Sequence, residues 1–377
     1  MRHQQLKETL KKLKHYFPPV LRRLGVQTWR ILEVPLAAAL ERRSIIDAHR
    51  VFWPAAEVAD FDRFKILGPT ADEVLVEVAF TVMSPGTERA QLLGLPGAYE
   101  HIPGVPYYPG YSGSGEIIAV GKRVTEFQVG DRVAGRIQHG SPAVVQERFL
   151  FRVPDGVALE EAAFTELGII GLQGIRKARI RPGESILVLG QGLIGQLANR
   201  LGHLDGGAPV VAVARSKAKA PEALGKGGAD RFLTVEEMNR ESVGEGFDVV
   251  IEATGARNTL PFASSLARAG GRVVGLGTPR GWGSINLGQD DSRPGITVIG
   301  AHISGMPQED QSDGLWTYRG EGQLFLDLLA RGKLFLDDLV THRVDPSQAG
   351  EIYESLKAGD SRMIGVVFDW SDYASDK

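Results

Sequence analysis

The sequence predicts an α/β protein in which a doubly wound parallel sheet is joined to a β-barrel-like domain. Three observations support this fold class: an apolar strand enters a glycine-rich turn at residues 185–195, strands and helices alternate after it, and short strands with turns precede it. The 377 residues suffice for two domains that each bury a core. We expect a basic helical extension at 1–44, the barrel-like domain at 45–165, the parallel-sheet domain at 166–302 and a further segment at 303–377.

The glycine-rich turn indicates a dinucleotide site. Four apolar residues, 186–189, run directly into Gly190, Gly192 and Gly195, and a helical segment follows. The first glycine permits a tight turn, the second lets a pyrophosphate approach the backbone, and the third brings the helix close to the strand. The helix amides then face the anion. The residues expected to contact the cofactor here are Gly190, Gly192, Leu193, Ile194 and Gly195.

The next strand favours NADP(H) over NAD(H). It is predicted at 210–213, and the residue at its end should meet the adenosine ribose, where an acidic residue would select NAD. This chain instead has Ala214 followed by Arg215, Ser216 and Lys217. An arginine can pair with a 2′-phosphate through its planar fork, while the serine and the lysine add donors. The alternative is that Arg215 points to solvent and selects neither nucleotide.

Two later segments should complete the cofactor groove. Residues 247–255 and 271–277 are each predicted to form a buried strand that ends in a turn. Ligands of such sheets lie beyond the carboxyl ends of the strands. We therefore expect four residues to line the nicotinamide half of the groove: Thr254, Gly255, Leu276 and Gly277.

The composition argues against several classes of protein. A net charge of -3 argues against a dedicated nucleic-acid binder, and no apolar run approaches the roughly 20 residues that cross a bilayer. No secretion signal is apparent, so we expect a cytoplasmic protein whose partner is a small-molecule substrate. The chain has no cysteine, which excludes thiolate nucleophiles and cysteine-ligated zinc.

The extension at 1–44 differs from the rest of the chain. Leu6, Leu10 and Leu13 stand at helical spacing among lysines and predict a short basic amphipathic helix. We expect the extension to pack on the body of the protein or at the interface of a homodimer. A helix bound to a membrane surface or an acidic partner is one alternative, and a targeting segment is another.

The order of these parts resembles the medium-chain dehydrogenase/reductase superfamily. The resemblance covers roughly residues 50–370 and rests on the segments 110–115 and 129–133 together with the glycine-rich turn. Segments 84–88 and 109–113 are similar to the branch that contains the bacteriochlorophyllide hydroxyethyl dehydrogenases. The resemblance implies an NAD(P)-dependent enzyme with a Rossmann-type domain and a GroES-like catalytic domain. The resemblance further implies that residues 303–377 return to complete the GroES-like domain at 45–165. It also implies that Arg362 reaches the cofactor pyrophosphate, with an exposed loop cation as the alternative.

The chain departs from the zinc-bearing relatives at their metal ligands. Those relatives carry a cysteine before a Gly-Thr-Asp-like triplet and a Gly-His-Glu motif. Here Ser84 or Pro85 takes the place of the cysteine, and Tyr111 and Ser112 take the places of the His-Glu pair. Glu166 resembles the position of a third ligand, but one carboxylate cannot hold a catalytic zinc ion, which needs about three protein ligands. We therefore expect no zinc, and a structural or cofactor-adjacent role for Glu166.

Without zinc, hydroxyl groups are the candidates for activating a substrate oxygen. Thr87 resembles the proton-relay hydroxyl of the superfamily, and Ser84, Tyr111 and Ser112 occupy former ligand positions. We expect a zinc-independent NADP(H)-dependent oxidoreductase that acts on an alcohol or carbonyl group of a bulky or conjugated molecule. Two alternatives stay open: an NADPH-dependent ene or quinone reductase, and an NADP-binding sensor or assembly protein without turnover.

Overall fold

A computed structural model describes residues 43–98, 101–102, 105–238, 244–277, 295–308 and 316–374. The predicted helical extension lies outside these residues, apart from Arg43 and Ser44. The strands of the described chain are β1 (Ile45–Ala55), β2 (Val58–Leu67), β3 (Glu73–Met83), β4 (Gly113–Val120), β5 (Arg132–Gly135), β6 (Gly140–Ser141), β7 (Ala143–Gln146), β8 (Leu150–Arg152), β9 (Ile186–Leu189), β10 (Val210–Ala214), β11 (Arg231–Thr234), β12 (Phe247–Glu252), β13 (Ala267–Gly275), β14 (Thr297–Gly300), β15 (Val340–Val344) and β16 (Gly365–Asp369). The helices are α1 (Pro85–Leu92), α2 (Leu159–Ala162), α3 (Thr165–Ala178), α4 (Leu193–Leu204), α5 (Ala220–Ala223), α6 (Thr259–Leu266), α7 (Tyr318–Ala330) and α8 (Ala349–Ala358).

Six parallel strands form the sheet that carries the glycine-rich turn. Their order is β11-β10-β9-β12-β13-β14, so the sheet runs outward in both directions from β9. This is the doubly wound order of a Rossmann-type domain, with its switch point between β9 and β12. Leu189 lies opposite Glu252 in the register, so the two strands end side by side. The crevice beyond these two ends is the place where such sheets bind ligands.

A GroES-like barrel makes up the front of the chain. One of its sheets has the order β15-β16-β3-β4-β5-β8, with β7 also paired to β3, and a smaller sheet has the order β2-β1-β6. β15 and β16 come from the end of the chain, and β16 pairs antiparallel with β3, Val366 lying opposite Met83. The end of the chain therefore returns to the sheet of the front domain. The exact domain bounds stay a prediction.

The helix α3 joins the barrel to the parallel sheet. It packs against α4 and α7, and most of its residues, including Leu167 and Leu172, are buried. One continuous apolar core contains barrel residues such as Val82, residues of α3, and Val188 of the parallel sheet. Residues at the start of α3, such as Glu166, are therefore held inside the molecule between the two sheets.

A search of the described residues for helices that could cross a membrane found none of sufficient length and apolar character.

Candidate active site

The turn after β9 has the geometry that its glycine spacing predicts. Gly190 has φ +91, and a Cβ atom there would lie 2.8 Å from the Thr254 side chain. A Cβ atom on Gly195 would lie 1.8 Å from the Gly190 carbonyl oxygen, so α4 approaches the turn as only glycine allows. Gly192 caps the start of α4, where Leu193 and Ile194 form the first turn, and nothing lies within 4 Å of its Cβ position. The open space beside these amides fits a pyrophosphate.

Two buried amide side chains support this turn from inside the protein. The Asn199 Nδ2 group of α4 donates a hydrogen bond of 2.8 Å to Gln191 Oε1, and Gln191 Nε2 donates one of 3.0 Å to the Val188 carbonyl. Both residues are buried. They tie the glycine-rich turn to the strand before it and the helix after it. The sequence analysis missed them, although a buried amide pair within an apolar strand–helix unit is a detectable signal.

The predicted adenosine end of the groove is basic. Ala214 ends β10, and Arg215 and Ser216 are exposed; Arg215 has no hydrogen-bond or ion-pair partner within the described part of the chain. Lys217 forms an ion pair with Glu237, with 2.5 Å between Nζ and Oε1. Lys219, which the sequence analysis missed, donates a hydrogen bond of 3.3 Å to the Met363 carbonyl, and burial lowers the pKa of its ammonium group.

The four residues predicted for the nicotinamide half lie together beyond β12 and β13. The Leu276 and Gly277 amides donate to the Glu252 carbonyl at 2.9 and 2.7 Å. A Cβ atom on Gly277 would lie 2.5 Å from the Gly255 nitrogen, so these two turns touch. The Thr254 amide donates to Glu252 Oε1 at 2.9 Å. Glu252 thus holds both turns at the carboxyl ends of their strands.

Arg362 lies on an exposed loop just before β16. Its guanidinium pairs with Asp360, with 2.8 Å between Nη2 and Oδ2, and this pair lowers the pKa of Asp360 to about 2. The Lys219–Met363 hydrogen bond brings the loop beside the basic adenosine end. In this conformation the side chain matches the alternative interpretation, an exposed loop cation. Its contact with a pyrophosphate stays a prediction.

Three of the four predicted catalytic hydroxyls come together in the barrel. Ser84 precedes α1, the first turn of α1 holds Thr87, and Tyr111 lies on the loop before β4. The side chains of Ser84 and Thr87 lie close enough to the Tyr111 hydroxyl to influence its pKa. Burial raises the pKa of Tyr111 to about 12, although both neighbouring hydroxyls act to lower it. The phenol therefore stays protonated near neutral pH and can donate a hydrogen bond.

Ser112 does not join this hydroxyl group, and its predicted role needs correction. The side chain is fully buried, and its Oγ donates a hydrogen bond of 2.6 Å to the Ala163 carbonyl. Its own carbonyl accepts a hydrogen bond of 2.9 Å from the Val82 amide. Because the hydroxyl already serves the backbone, Ser112 anchors the loop before β4 and is not a free donor for a substrate oxygen.

Glu166 faces two side chains that the sequence analysis did not pair with it. The Tyr318 hydroxyl donates a hydrogen bond to Oε1, and Arg136 Nη2 lies 3.6 Å from Oε2. The carboxyl group is buried, which raises its pKa to about 7, while the charge of Arg136 and the hydrogen bond from Tyr318 act in the opposite direction. The Arg136 guanidinium also lies 4.5 Å from the ring centre of Phe149. Both oxygens of Glu166 are thus engaged within the protein.

Comparisons with known proteins agree with this architecture. A family model described as alcohol dehydrogenase GroES-like domain matches residues 70–169, and one described as zinc-binding dehydrogenase matches residues 194–315. The chain belongs to the medium-chain dehydrogenase/reductase superfamily. It is an NAD(P)-dependent oxidoreductase of this superfamily. The finer branch assignment is not decided by these matches.

Curated relatives match most of the chain, and solved structures share its fold. Sheep (Ovis aries) sorbitol dehydrogenase is 26% identical over 308 residues, which are 71% of this chain and 82% of that protein. Saccharomyces cerevisiae D-xylulose reductase is 26% identical over 305 residues, which are 70% of this chain and 82% of that protein. A structure described as a zinc-binding dehydrogenase from Sinorhizobium meliloti 1021, solved with NADP, has a TM-score of 0.71 and 20% identity, covering 86% of this chain and 99% of that one.

The residues at the superfamily's metal-ligand positions do not fit a catalytic zinc ion. Among the residues that the structure describes, no three histidine, cysteine, aspartate or glutamate side chains converge as such an ion requires. Ser84 and Tyr111 offer neutral hydroxyls, which are poor zinc ligands, and the Glu166 oxygens already face Tyr318 and Arg136.

Proposed function

We propose that this protein is a zinc-independent, NADP(H)-dependent oxidoreductase of the medium-chain dehydrogenase/reductase superfamily. Its reaction would interconvert an alcohol and a carbonyl group on a bulky or conjugated small molecule. The single observation that carries the proposal is the group of three hydroxyls formed by Ser84, Thr87 and Tyr111. Ser84 and Tyr111 stand at positions where zinc-bearing relatives carry metal ligands, and Thr87 stands at the position of their proton-relay hydroxyl.

The three hydroxyls supply the chemistry that a metal would otherwise provide. A bound nicotinamide would supply or accept the hydride. The Tyr111 phenol, protonated at neutral pH, would donate a hydrogen bond to the carbonyl oxygen on which negative charge develops during reduction, and would then give it the proton. Thr87 and Ser84 would stabilise the phenolate that remains and relay a proton to it from solvent water. In alcohol oxidation the same groups would act in reverse.

The preference for NADP(H) rests on the free cation at the end of β10. Arg215 is exposed and has no partner within the described residues, so its planar fork is available for a 2′-phosphate. Lys217 is already paired with Glu237 and is therefore less available to contact a 2′-phosphate. Lys219 is a second candidate, because its partly buried ammonium group adjoins both Arg215 and the 360–363 loop. The S. meliloti dehydrogenase solved with NADP has the same fold.

The substrate class can be tested with a panel of compounds. The panel contains small and polycyclic ketones and aldehydes, conjugated enones, quinones, and the ketoses and polyols that the names of the relatives suggest. Turnover of each is followed by loss of NADPH absorbance, with NADH in parallel, and products are identified by mass spectrometry. We expect reduction of a bulky or conjugated carbonyl to the alcohol, with NADPH preferred.

Other outcomes of the same panel would contradict the proposal. A saturated product that retains its carbonyl group would favour an ene or quinone reductase. Tight NADPH binding without hydride loss to any compound would favour a sensor or assembly protein. The expected homodimer and cytoplasmic location are further parts of the proposal, tested by analytical ultracentrifugation and by cell fractionation.

A further inference from the structure

A fully buried histidine, His139, touches both of the loops that carry the proposed hydroxyl group. On one side its Nε2 atom lies 3.3 Å from each carboxylate oxygen of Glu88, in helix α1. On the other side its backbone amide donates to the Pro109 carbonyl at 3.1 Å. Gly110, with φ +84, packs on the imidazole so closely that a Cβ atom would lie 2.6 Å from Cγ. The ring has no exposed surface and cannot meet a substrate.

Glu88 connects His139 to the start of α1, where Ser84 and Thr87 lie. Its side chain is completely buried, and Oε1 accepts a hydrogen bond of 2.8 Å from the Ser84 amide, which fixes the start of α1. Oε2 accepts a hydrogen bond from the Tyr353 hydroxyl of α8. A buried carboxylate needs several donors, and here it has the Ser84 amide, the Tyr353 hydroxyl and His139. Loss of the histidine donor would therefore disturb the helix start that holds two of the three hydroxyls.

The orientation of the imidazole follows from the donors around it. Trp370 Nε1 can only donate, and it donates to Thr81 Oγ1 at 2.9 Å. Thr81 Oγ1 lies 2.8 Å from His139 Nδ1, so its own hydroxyl proton can point to that nitrogen. The carboxylate of Glu88 can only accept, which assigns an N–H to His139 Nε2. Trp370, Thr81, His139 and Glu88 thus form one directed chain of hydrogen bonds in the barrel core.

We propose that His139 is a positioning residue that sets the separation of the Tyr111, Ser84 and Thr87 hydroxyls by holding both loops on which they lie. The imidazole packs on Gly110 of the 109–111 loop, which the backbone amide of His139 also holds through the Pro109 carbonyl, and it contacts α1 through Glu88. The inference rests on the proposed function only for its turnover measurement. The separation of the hydroxyls can be measured in the protein without a substrate.

Two substitutions separate this role from simple space filling. In His139→Asn the amide reaches the place of Nδ1 and keeps a partner for Thr81, but no donor reaches Glu88. In His139→Gln the amide nitrogen reaches the place of Nε2 and can donate to Glu88. His49→Asn is the matched control, since His49 is also a barrel histidine but packs on Phe61 and Tyr373, away from Glu88.

The variants are compared by kcat and KM for the best substrate, by NADPH affinity from fluorescence titration, and by crystal structures. We expect His139→Asn to lower kcat by about 10- to 100-fold while NADPH affinity changes less than about twofold, because a shift of about 1 Å in reacting groups has effects of this size. His139→Gln should restore most of the loss, and His49→Asn should behave like the native protein. In the His139→Asn crystal structure the Tyr111–Ser84 hydroxyl separation should change by about 1 Å.

Native turnover in His139→Asn, or equal losses of kcat in the Asn and Gln variants, would overturn the inference. If the native protein reduces no compound of the panel, the proposed function fails, and the crystal structures alone decide: an unchanged separation of the hydroxyls in His139→Asn refutes the positioning role. If His139→Asn does not fold, Thr81→Val is measured instead, with Thr81→Ser as its control. A kcat loss of about threefold or more in the Val variant alone is then expected, and equal kcat in both would refute the inference.

Discussion

The cofactor turn and the barrel cleft, which is the site around Ser84, Thr87 and Tyr111, are built from different kinds of contact. At the turn, three glycines within six residues create the geometry, and the proposed ligand meets backbone amides. In the cleft, side chains create the geometry, and their supports come from distant parts of the chain. The Tyr353 hydroxyl reaches Glu88 across 265 positions, and Trp370 reaches Thr81 across 289. The turn is therefore a local property of the sequence, whereas the cleft is a property of the complete fold.

The largest expected effect comes from disturbing the turn. Gly192→Ala should keep the native melting temperature, because nothing lies within 4 Å of the new methyl group, yet weaken NADPH binding by about 100-fold, or ~2.7 kcal/mol. Gly195→Ala should lower both the melting temperature and the NADPH affinity, because its methyl group would collide with the Gly190 carbonyl. Thermal melts and fluorescence titration measure the two effects. Native NADPH affinity in Gly192→Ala would show that the pyrophosphate lies elsewhere.

Substitutions of the cleft hydroxyls should lower turnover and leave cofactor affinity nearly unchanged. Tyr111→Phe should lower kcat on the order of 100-fold, because the proton donor is removed, and Thr87→Val should have a smaller effect in the same direction. Ser112→Ala is the matched control: it should lower the unfolding free energy by about 1–3 kcal/mol through the lost Ala163 contact, with kcat nearly kept. Steady-state kinetics with NADPH titration would refute the hydroxyl proposal if Tyr111→Phe turned over normally.

Substitutions at the adenosine end show whether a side chain there adds nucleotide selectivity to the affinity that the backbone amides of the turn provide. Arg215→Asp should weaken NADPH binding by about 10- to 100-fold, since it replaces a charge-assisted contact with repulsion, and should change NADH affinity by less than about threefold. Arg331→Asp introduces the same charge change at an exposed arginine at the end of α7 and should alter neither. Equal effects of Arg215→Asp on the two nucleotides would show that this residue does not contact the 2′-phosphate.

The pH dependence of stability tests the buried carboxyl of Glu166. The pKa of Glu166 is about 7 in the folded protein against an ordinary value of 4.5, so the folded state binds this proton more tightly. The resulting stability is complete below about pH 4.5 and is lost as the pH rises through about 7, a change of up to about 3 kcal/mol. The unfolding free energy of the native protein should therefore fall relative to Glu166→Gln between pH 4.5 and 8. A constant difference in urea titrations would contradict the raised pKa.

The same contrast explains what the sequence could and could not predict. The strand at 186–189, the turn and the following helix were predicted from local patterns, and the structure has β9 and α4 at these places. The fold class was confirmed as well, because strand–helix alternation is also a local signal. The return of the segment 303–377 to the front domain was indicated only by the superfamily resemblance, and in the structure β16 pairs with β3.

Residues whose roles depend on long-range packing were missed or misassigned. His139 stands 51 positions from Glu88, and Glu166 stands 152 positions from Tyr318, so no sequence pattern could pair them. Ser112 looked like a free donor beside Tyr111, but alternation along an extended chain directs neighbouring side chains to opposite sides, and Ser112 faces the Ala163 carbonyl inside the protein. The motif identified these residues as candidates, but the direction in which each hydroxyl points depends on the complete fold.

The most direct test of the central claim is metal content measured together with turnover. The purified protein is dialysed against a chelator, its zinc is determined by mass spectrometry, and NADPH-dependent reduction of the best panel substrate is measured before and after dialysis and after zinc is added back. The account predicts far less than one zinc ion per chain and unchanged turnover throughout. One tightly held zinc ion per chain, with turnover that is lost on its removal and restored by its return, would contradict it.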